Sequence, residues 1–185
     1  MKLLQLLPIG EFDGRLLEAI GPPLAQQFGV PWDVLPRVLD PQFAYHAERQ
    51  QYHSTELLER MSRYRKPESW RLLGVTEHDL YIPILTFVFG EAQLGGAAAV
   101  VSACRLRQEF YGLPPDGPLL RERLLKEAVH ELGHTVTLRH CQDYRCAMAP
   151  SHAAEWIDLK EAVLCSACQA KAARLAPEEK RFRLF

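Results

Sequence analysis

The run His130-Glu131-Leu132-Gly133-His134, with His140 six positions further on, constrains this chain more than any other feature of its sequence. Residues four apart on a helix share a face, so a helix here brings both imidazoles to one point and sets Glu131 beside them. Arg121 to about Val136 reads as that helix. On the same helix, at about 100° per residue, His140 would face well away from the first pair. The helix must therefore end near Val136 to Leu138 and the chain turn back if His140 is to be a third ligand. Neutral imidazole suits Zn²⁺, three protein ligands leave a position for water with a pKa of ~7, and a neighbouring carboxylate, Glu131, can act as general base. A pair of histidines on a helix can also be a surface accident, and the residues downstream weigh against that.

Five cysteines, Cys104, Cys141, Cys146, Cys165 and Cys168, are an odd number in a chain with no export signal, and four of them lie between positions 141 and 168. In a reducing compartment such crowding favours metal over disulfides. The spacing C-x4-C, eighteen intervening residues, then C-x2-C describes a Cys₄ structural zinc site with every position filled. His140 and Cys141 are adjacent, and in an extended segment neighbours point to opposite sides, so they can serve two metals. The alternative is a reduced, buried set with chance spacing. Cys104, in an expected strand, reads as an ordinary buried thiol.

The histidine run resembles the metzincin zinc-binding motif, in which H-E-x-x-H is followed by x-x-G-x-x-H and then by a methionine in a tight turn beneath the metal. Met148 matches that methionine, with a packing role. With the cysteines added, H-E-x-x-H…H-C-x4-C-x-M…C-x2-C is similar to the signature of the archaemetzincins, the metzincin branch with a second, structural zinc. The motif spans residues 130 to 168 of 185, and Phe87 to Ala92 through Gly95-Gly96 resembles the edge-strand region of that family. Where the family has Gly this chain has Thr137, and a β-branched residue at positive φ is strained by ~1–2 kcal/mol. Metzincins with a Tyr two residues after the Met use it near the metal; here that position is Pro150.

The resemblance implies an α/β, metzincin-like zincin fold: a twisted mixed β-sheet, an active-site helix, and a small C-terminal part holding the Cys₄ site. It implies two zinc ions, one catalytic and one structural. It implies a metallopeptidase acting on peptide or protein substrates, with Glu131 passing the water proton to the leaving amine. The rival from another class is a non-catalytic zinc-stabilised scaffold or peptide-binding protein with a weak or empty first site, which Thr137 favours and Glu131 disfavours. A third reading is a hydrolase of a non-peptide amide.

Composition bounds the rest. With 22 Lys plus Arg against 23 Asp plus Glu, the net charge of −1 gives no global field to recruit nucleic acid or an anionic membrane. The apolar start, Met1 to Gly10, is broken by Gln5 and Pro8 and has no cleavage site, so it reads as a strand and the protein as cytoplasmic. One domain over 1–185 is expected, with an N-terminal part of about 1–140 and a zinc-stabilised part of about 141–185.

Strands are expected at 2–8, 34–39, 70–76, 86–90 and 97–106, and helices at 15–28, split or kinked by Pro22-Pro23, at 43–64, 121–136 and 155–173. Residues 112–118 should form a loop, and the charged stretch 178–183 should be surface. Glu91 and Gly95-Gly96 either border a substrate channel or form a plain turn. His46, His53 and His78 have no partner spacing, and His152 lies near enough to Met148 to reach the cleft at most as a supporting residue.

Overall fold

The computed structural model describes residues 2–175, so the expected surface stretch 178–183 lies outside the described residues. Its centre is β1 (Leu3–Ile9), an apolar run buried on both faces, as a parallel strand covered on two sides must be. β1 pairs in parallel with β2 (Trp32–Val34) on one side and β5 (Ser69–Thr76) on the other. β8 (Ala98–Ser102) continues the parallel run, and β7 (Gly90–Ala92) closes it antiparallel, giving the order β2-β1-β5-β8-β7. A second small sheet orders β3 (Tyr45–His46), β4 (Gln51–His53) and β6 (Leu80–Tyr81). The sheet is mixed and the fold α/β, as expected.

Alternation along the strands builds two apolar layers. Leu4, Leu6, Leu73, Val75, Ala99 and Val101 face one side, where they pack with α1 (Gly14–Phe28) and α3 (Gly117–Thr135). Leu7, Ile9, Leu72, Ala98 and Val100 face the other, where α2 (Ser54–Met61) brings Leu57, Leu58 and Met61. The first layer also takes in Cys146, Met148, Ile157, Leu164 and Cys168, so the segment after α3 shares the main core. Among the described residues no helix is long and apolar enough to cross a membrane.

Several elements differ from expectation. α1 runs through Pro22 and Pro23 unbroken, because the φ that proline imposes is already helical and Leu17, Ile20, Leu24 and Phe28 hold both halves to the core. The helix expected over 43–64 is only α2: residues before it form a 3₁₀ turn, Gln42–Ala44, and the β3–β4 pair, where Tyr45 and Tyr52 meet across strands at 5.1 Å. Strand 34–39 reduces to β2 and one bridge between Ile9 and Leu39. The strand expected at 86–90 sits instead at Gly90–Ala92, and Ala98–Ser102 ends before a 3₁₀ turn, Cys104–Leu106, so Cys104 is not in a strand.

α3 begins at Gly117, inside the expected loop, because Asp116 accepts a hydrogen bond from Leu119 N at 2.9 Å and Pro118 suits the first turn. The last expected helix is two, α4 (Ala154–Asp158) and α5 (Ser166–Leu175), with Lys160 and Cys165 delivered between them.

Candidate metal centres

α3 presents His130, Glu131 and His134 at its C-terminal end, the first two buried. Each ring on α3 has its Nδ1 committed to a carbonyl: His130 donates to Ala147 O at 2.8 Å and His134 to Leu138 O at 2.7 Å. A carbonyl only accepts, so both Nδ1 atoms carry the proton and both Nε2 atoms are bare. Those bare Nε2 atoms face each other at 3.1 Å, where no proton is left to join them. Zinc at ~2.0–2.1 Å from each of two tetrahedral nitrogens separates them by roughly 3.3 Å, so the pair fits a shared cation.

His140 completes the cluster, its ring centroid 5.3 Å from that of His130 and 5.2 Å from that of His134, with one donor atom of each residue within 4.8 Å of the others. Getting there requires the reversal expected after Val136. Thr137 takes φ 69°, in the left-handed region, and Leu138 N donates to Gly133 O at 3.1 Å. The strain of a β-branched residue there is offset from outside the helix: Arg71, on β5, donates to Thr135 Oγ1 at 3.0 Å and to Thr135 O at 3.1 Å, satisfying an orphan carbonyl of the last turn. Gly95 N donates to His134 O at 2.9 Å, and a Cβ on Gly95 would lie 2.8 Å from the Thr137 methyl. The end of α3 is thus fastened to the turn that follows β7.

Met148 is fully buried under α3, and a Cβ on Gly133 would stand 2.3 Å from its sulfur, so the glycine inside the histidine run makes room for the thioether. On the other flank a Cβ on Gly90 would come within 2.8 Å of Glu131 Oε1, which sets the carboxyl directly over the start of the edge strand. Glu91, next along β7, must point to the opposite face. There it accepts from Ser54 and from Thr55, pinning β7 to the N-terminus of α2.

Burial is the first cause of every shift at the cluster. It holds His130 well below the ordinary histidine range, with Lys160 and His134 adding to the effect, and it lowers His134 and His140, so all three stand in the neutral form a metal needs. Burial, then Glu127, pushes Glu131 well above the usual carboxylate range, with Lys160 opposing and Glu91 adding to the rise.

The four cysteines expected to act together lie together: one sulfur of each of Cys141, Cys146, Cys165 and Cys168 falls within 4.8 Å of the rest. Cys141 and Cys165 sulfurs are 3.8 Å apart, against the roughly 3.8 Å that two tetrahedral Zn–S bonds of ~2.3 Å give. Burial pushes the Cys146 thiol up, and the bonds its Sγ accepts from Cys165 N at 3.3 Å and Met148 N at 3.5 Å oppose that rise. Cys104 lies outside this set and is pushed up to about 11 by burial.

The remaining histidines do not join either cluster. His53 pairs with Glu56 at 2.9 Å, His78 stacks on Tyr52, and His152 is exposed with its ring 5.1 Å from that of Trp156. Sequence reasoning missed Arg71, Glu127, Lys160 and the role of Gly90; the burial of Glu127 and Lys160 and the hydrogen bonds of half-buried Arg71 to Thr135, visible once the chain is folded, single out the first three.

The sequence matches the model of Peptidase family M54 over residues 17–174. This chain belongs to peptidase family M54. Among its relatives, the archaemetzincin of Methanocaldococcus jannaschii is 40% identical over 164 residues, covering 89% of each chain. That of Pyrococcus furiosus is 37% identical over 171 residues, again covering 89% of each. The crystal structure of the Methanopyrus kandleri archaemetzincin superposes with a TM-score of 0.82 at 34% identity, covering 94% of both chains. The Archaeoglobus fulgidus protein, crystallised with malonate, gives 0.79 at 37% identity, covering 91% of this chain and 99% of its own. As a member of M54 the chain is a zinc metallopeptidase with an archaemetzincin fold, and peptides are its substrate class.

Proposed function

We propose that peptide bonds are hydrolysed at a zinc ion held by His130, His134 and His140, with Glu131 as general base, and that Cys141, Cys146, Cys165 and Cys168 hold a second, structural zinc. The observation that carries this reading is the pair of bare Nε2 atoms at 3.1 Å, a contact that only a cation makes favourable. Zinc there supplies Lewis acidity toward a peptide carbonyl and toward water. Glu131 takes the proton of the attacking water and hands it to the leaving amine. Its raised proton affinity suits that exchange, and a dication alongside draws the carboxyl back toward its ionised form. β7 is the edge strand beside Glu131, paired among the described residues only with β8, and an edge of this kind suits the addition of an extended peptide.

Met148 packs beneath the ligands. The scaffold reading rested on Thr137, and its left-handed turn is compatible with His140 reaching the cluster. The C-terminal part from Cys141 is organised by its own zinc within one catalytic domain, and four thiols kept for metal suit a reducing compartment such as the cytoplasm. Glu131→Gln preserves volume and hydrogen bonding while removing the base. Zinc content should stay at the wild-type level while kcat/KM on a peptide falls about 10²- to 10⁴-fold; a variant that keeps wild-type activity refutes the assignment.

A further inference from the structure

The charged side chains buried along α3 and against it are Arg123, Lys126, Glu127, Glu131 and Lys160. Arg123 is forked onto Asp158, and Lys126 reaches Glu122. Glu131 belongs to the chemistry already described. What is left is Lys160 and Glu127, Nζ to Oε1 at 3.0 Å, with the side chains 1% and 4% exposed. An ion pair so far from water seldom stabilises more than well-packed apolar residues would, so stability does not explain it.

Its surroundings do. Lys160 Nζ also donates to Ala147 O, at 3.4 Å, and that same oxygen accepts from His130 Nδ1 at 2.8 Å. Ala147 is held on its other side by its N–H, which donates to Val163 O at 3.0 Å. A closed circuit results: Glu127 on α3 holds Lys160, Lys160 holds the Ala147 carbonyl, and the carbonyl holds the ring of His130 one turn along the same helix. An ammonium suits the middle position because it has three donors and no acceptor, so it can serve the carboxylate and the carbonyl together without competing with His130 for a proton.

We propose that Lys160, anchored by Glu127, is a positioning residue for the histidine metal site: it fixes the Ala147 carbonyl and thereby the tautomer and orientation of His130. This rests on the reading of His130 as a zinc ligand. Residues that orient a metal-binding imidazole in this way are worth about 10- to 100-fold in metal affinity.

Replacing Lys160 alone would strand a buried carboxylate and risk the fold, so the test uses the double variant Glu127→Gln, Lys160→Met, which removes both charges at similar volume. Zinc affinity is read by chelator competition on the full chain, with zinc retained by the cysteines as the internal control for folding. The double variant should hold its cysteine-site zinc and bind zinc at the histidines about 10- to 100-fold more weakly than wild type. Affinity within twofold of wild type overturns the proposal. Wild-type protein that takes up no zinc at the histidines would overturn the underlying reading as well, which separates the two failures. Long-range proton–nitrogen spectra of the wild-type zinc protein need no variant: His130 should be protonated at Nδ1 with a slowly exchanging proton, and an Nε2-protonated His130 overturns the circuit.

Discussion

The two ligand clusters are built by opposite means. His130 and His134 stand on α3, a helix whose face is set by the main core, and two of the three donors are in place because 3.6 residues make a turn. The cysteines come from irregular chain at Cys141 and Cys146, from the residue before α5, and from within α5. No long element orders them in advance. On α3 the fold supplies the geometry before any metal arrives; at the cysteines the core fixes Cys146 and Cys168, and for the irregular chain that carries Cys141 and Cys165 metal binding adds to folding free energy. His140 belongs to the first cluster by its proposed function and to the second by position, since Cys141 follows it directly. If both clusters hold zinc as proposed, dependence runs one way: the histidine site needs the cysteine site, and the cysteine site does not need the histidines.

The largest effect expected from this asymmetry is that of Cys165→Ala. It should release zinc from the cysteines, loosen the segment that delivers His140, and abolish peptide hydrolysis, with lost protection of residues 140–168 in hydrogen exchange. Retained activity would break the comparison. Next in size is Gly133→Ala, whose Cβ would stand 2.3 Å from the Met148 sulfur. Overpacking of this kind costs about 1–3 kcal/mol, to be read from denaturant midpoints, and should weaken zinc binding at the histidines while leaving the cysteine zinc in place.

A third effect depends on pH. Glu131 binds a proton more tightly folded than unfolded, so in the metal-free protein the folded state holds the extra proton above the ordinary carboxylate pKa of 4.5 and stability falls as pH rises through that window. Glu131→Gln removes this cost. In protein freed of zinc at the histidines while the cysteine zinc is retained, it should raise Tm at pH 8 and leave it nearly unchanged at pH 4.5; a Tm at pH 8 no higher than that of wild type would contradict the burial argument. The smallest effect is at the turn. Thr137→Gly relieves ~1–2 kcal/mol of left-handed strain but adds backbone entropy to the unfolded chain. A net gain of at most about 1 kcal/mol in thermal unfolding is expected, with activity close to wild type.

Much of the site could be read from the chain because the candidate ligands are placed by local spacing. The four-residue step from His130 to His134 fixes a helical face, and the failure of His140 to share that face forces the turn that Thr137 makes. The cysteine spacings carried the same kind of information. What stayed hidden depends on residues far apart in sequence. Lys160 and Glu127, or Arg71 and Thr135, have no spacing signal, because each partner is chosen by the way α3 packs against the sheet and the 154–164 segment. The helix expected over 43–64 failed because its Glu- and Leu-rich composition favours helix locally, while Tyr45 and Tyr52 gain more by pairing across strands. The last helix splits where the backbone between α4 and α5 bonds to the cysteine segment instead, Glu161 N to Arg145 O at 2.7 Å and Ala147 N to Val163 O at 3.0 Å.

The most direct test of the central claim is zinc stoichiometry by elemental analysis on wild type, His134→Ala and Cys165→Ala, with peptide hydrolysis followed alongside. Two zincs in wild type are expected, one in a folded and inactive His134→Ala, and loss from both sites in Cys165→Ala. A wild type with a single zinc, unaffected by His134→Ala and removed only by Cys165→Ala, would contradict the account and leave a structural zinc protein.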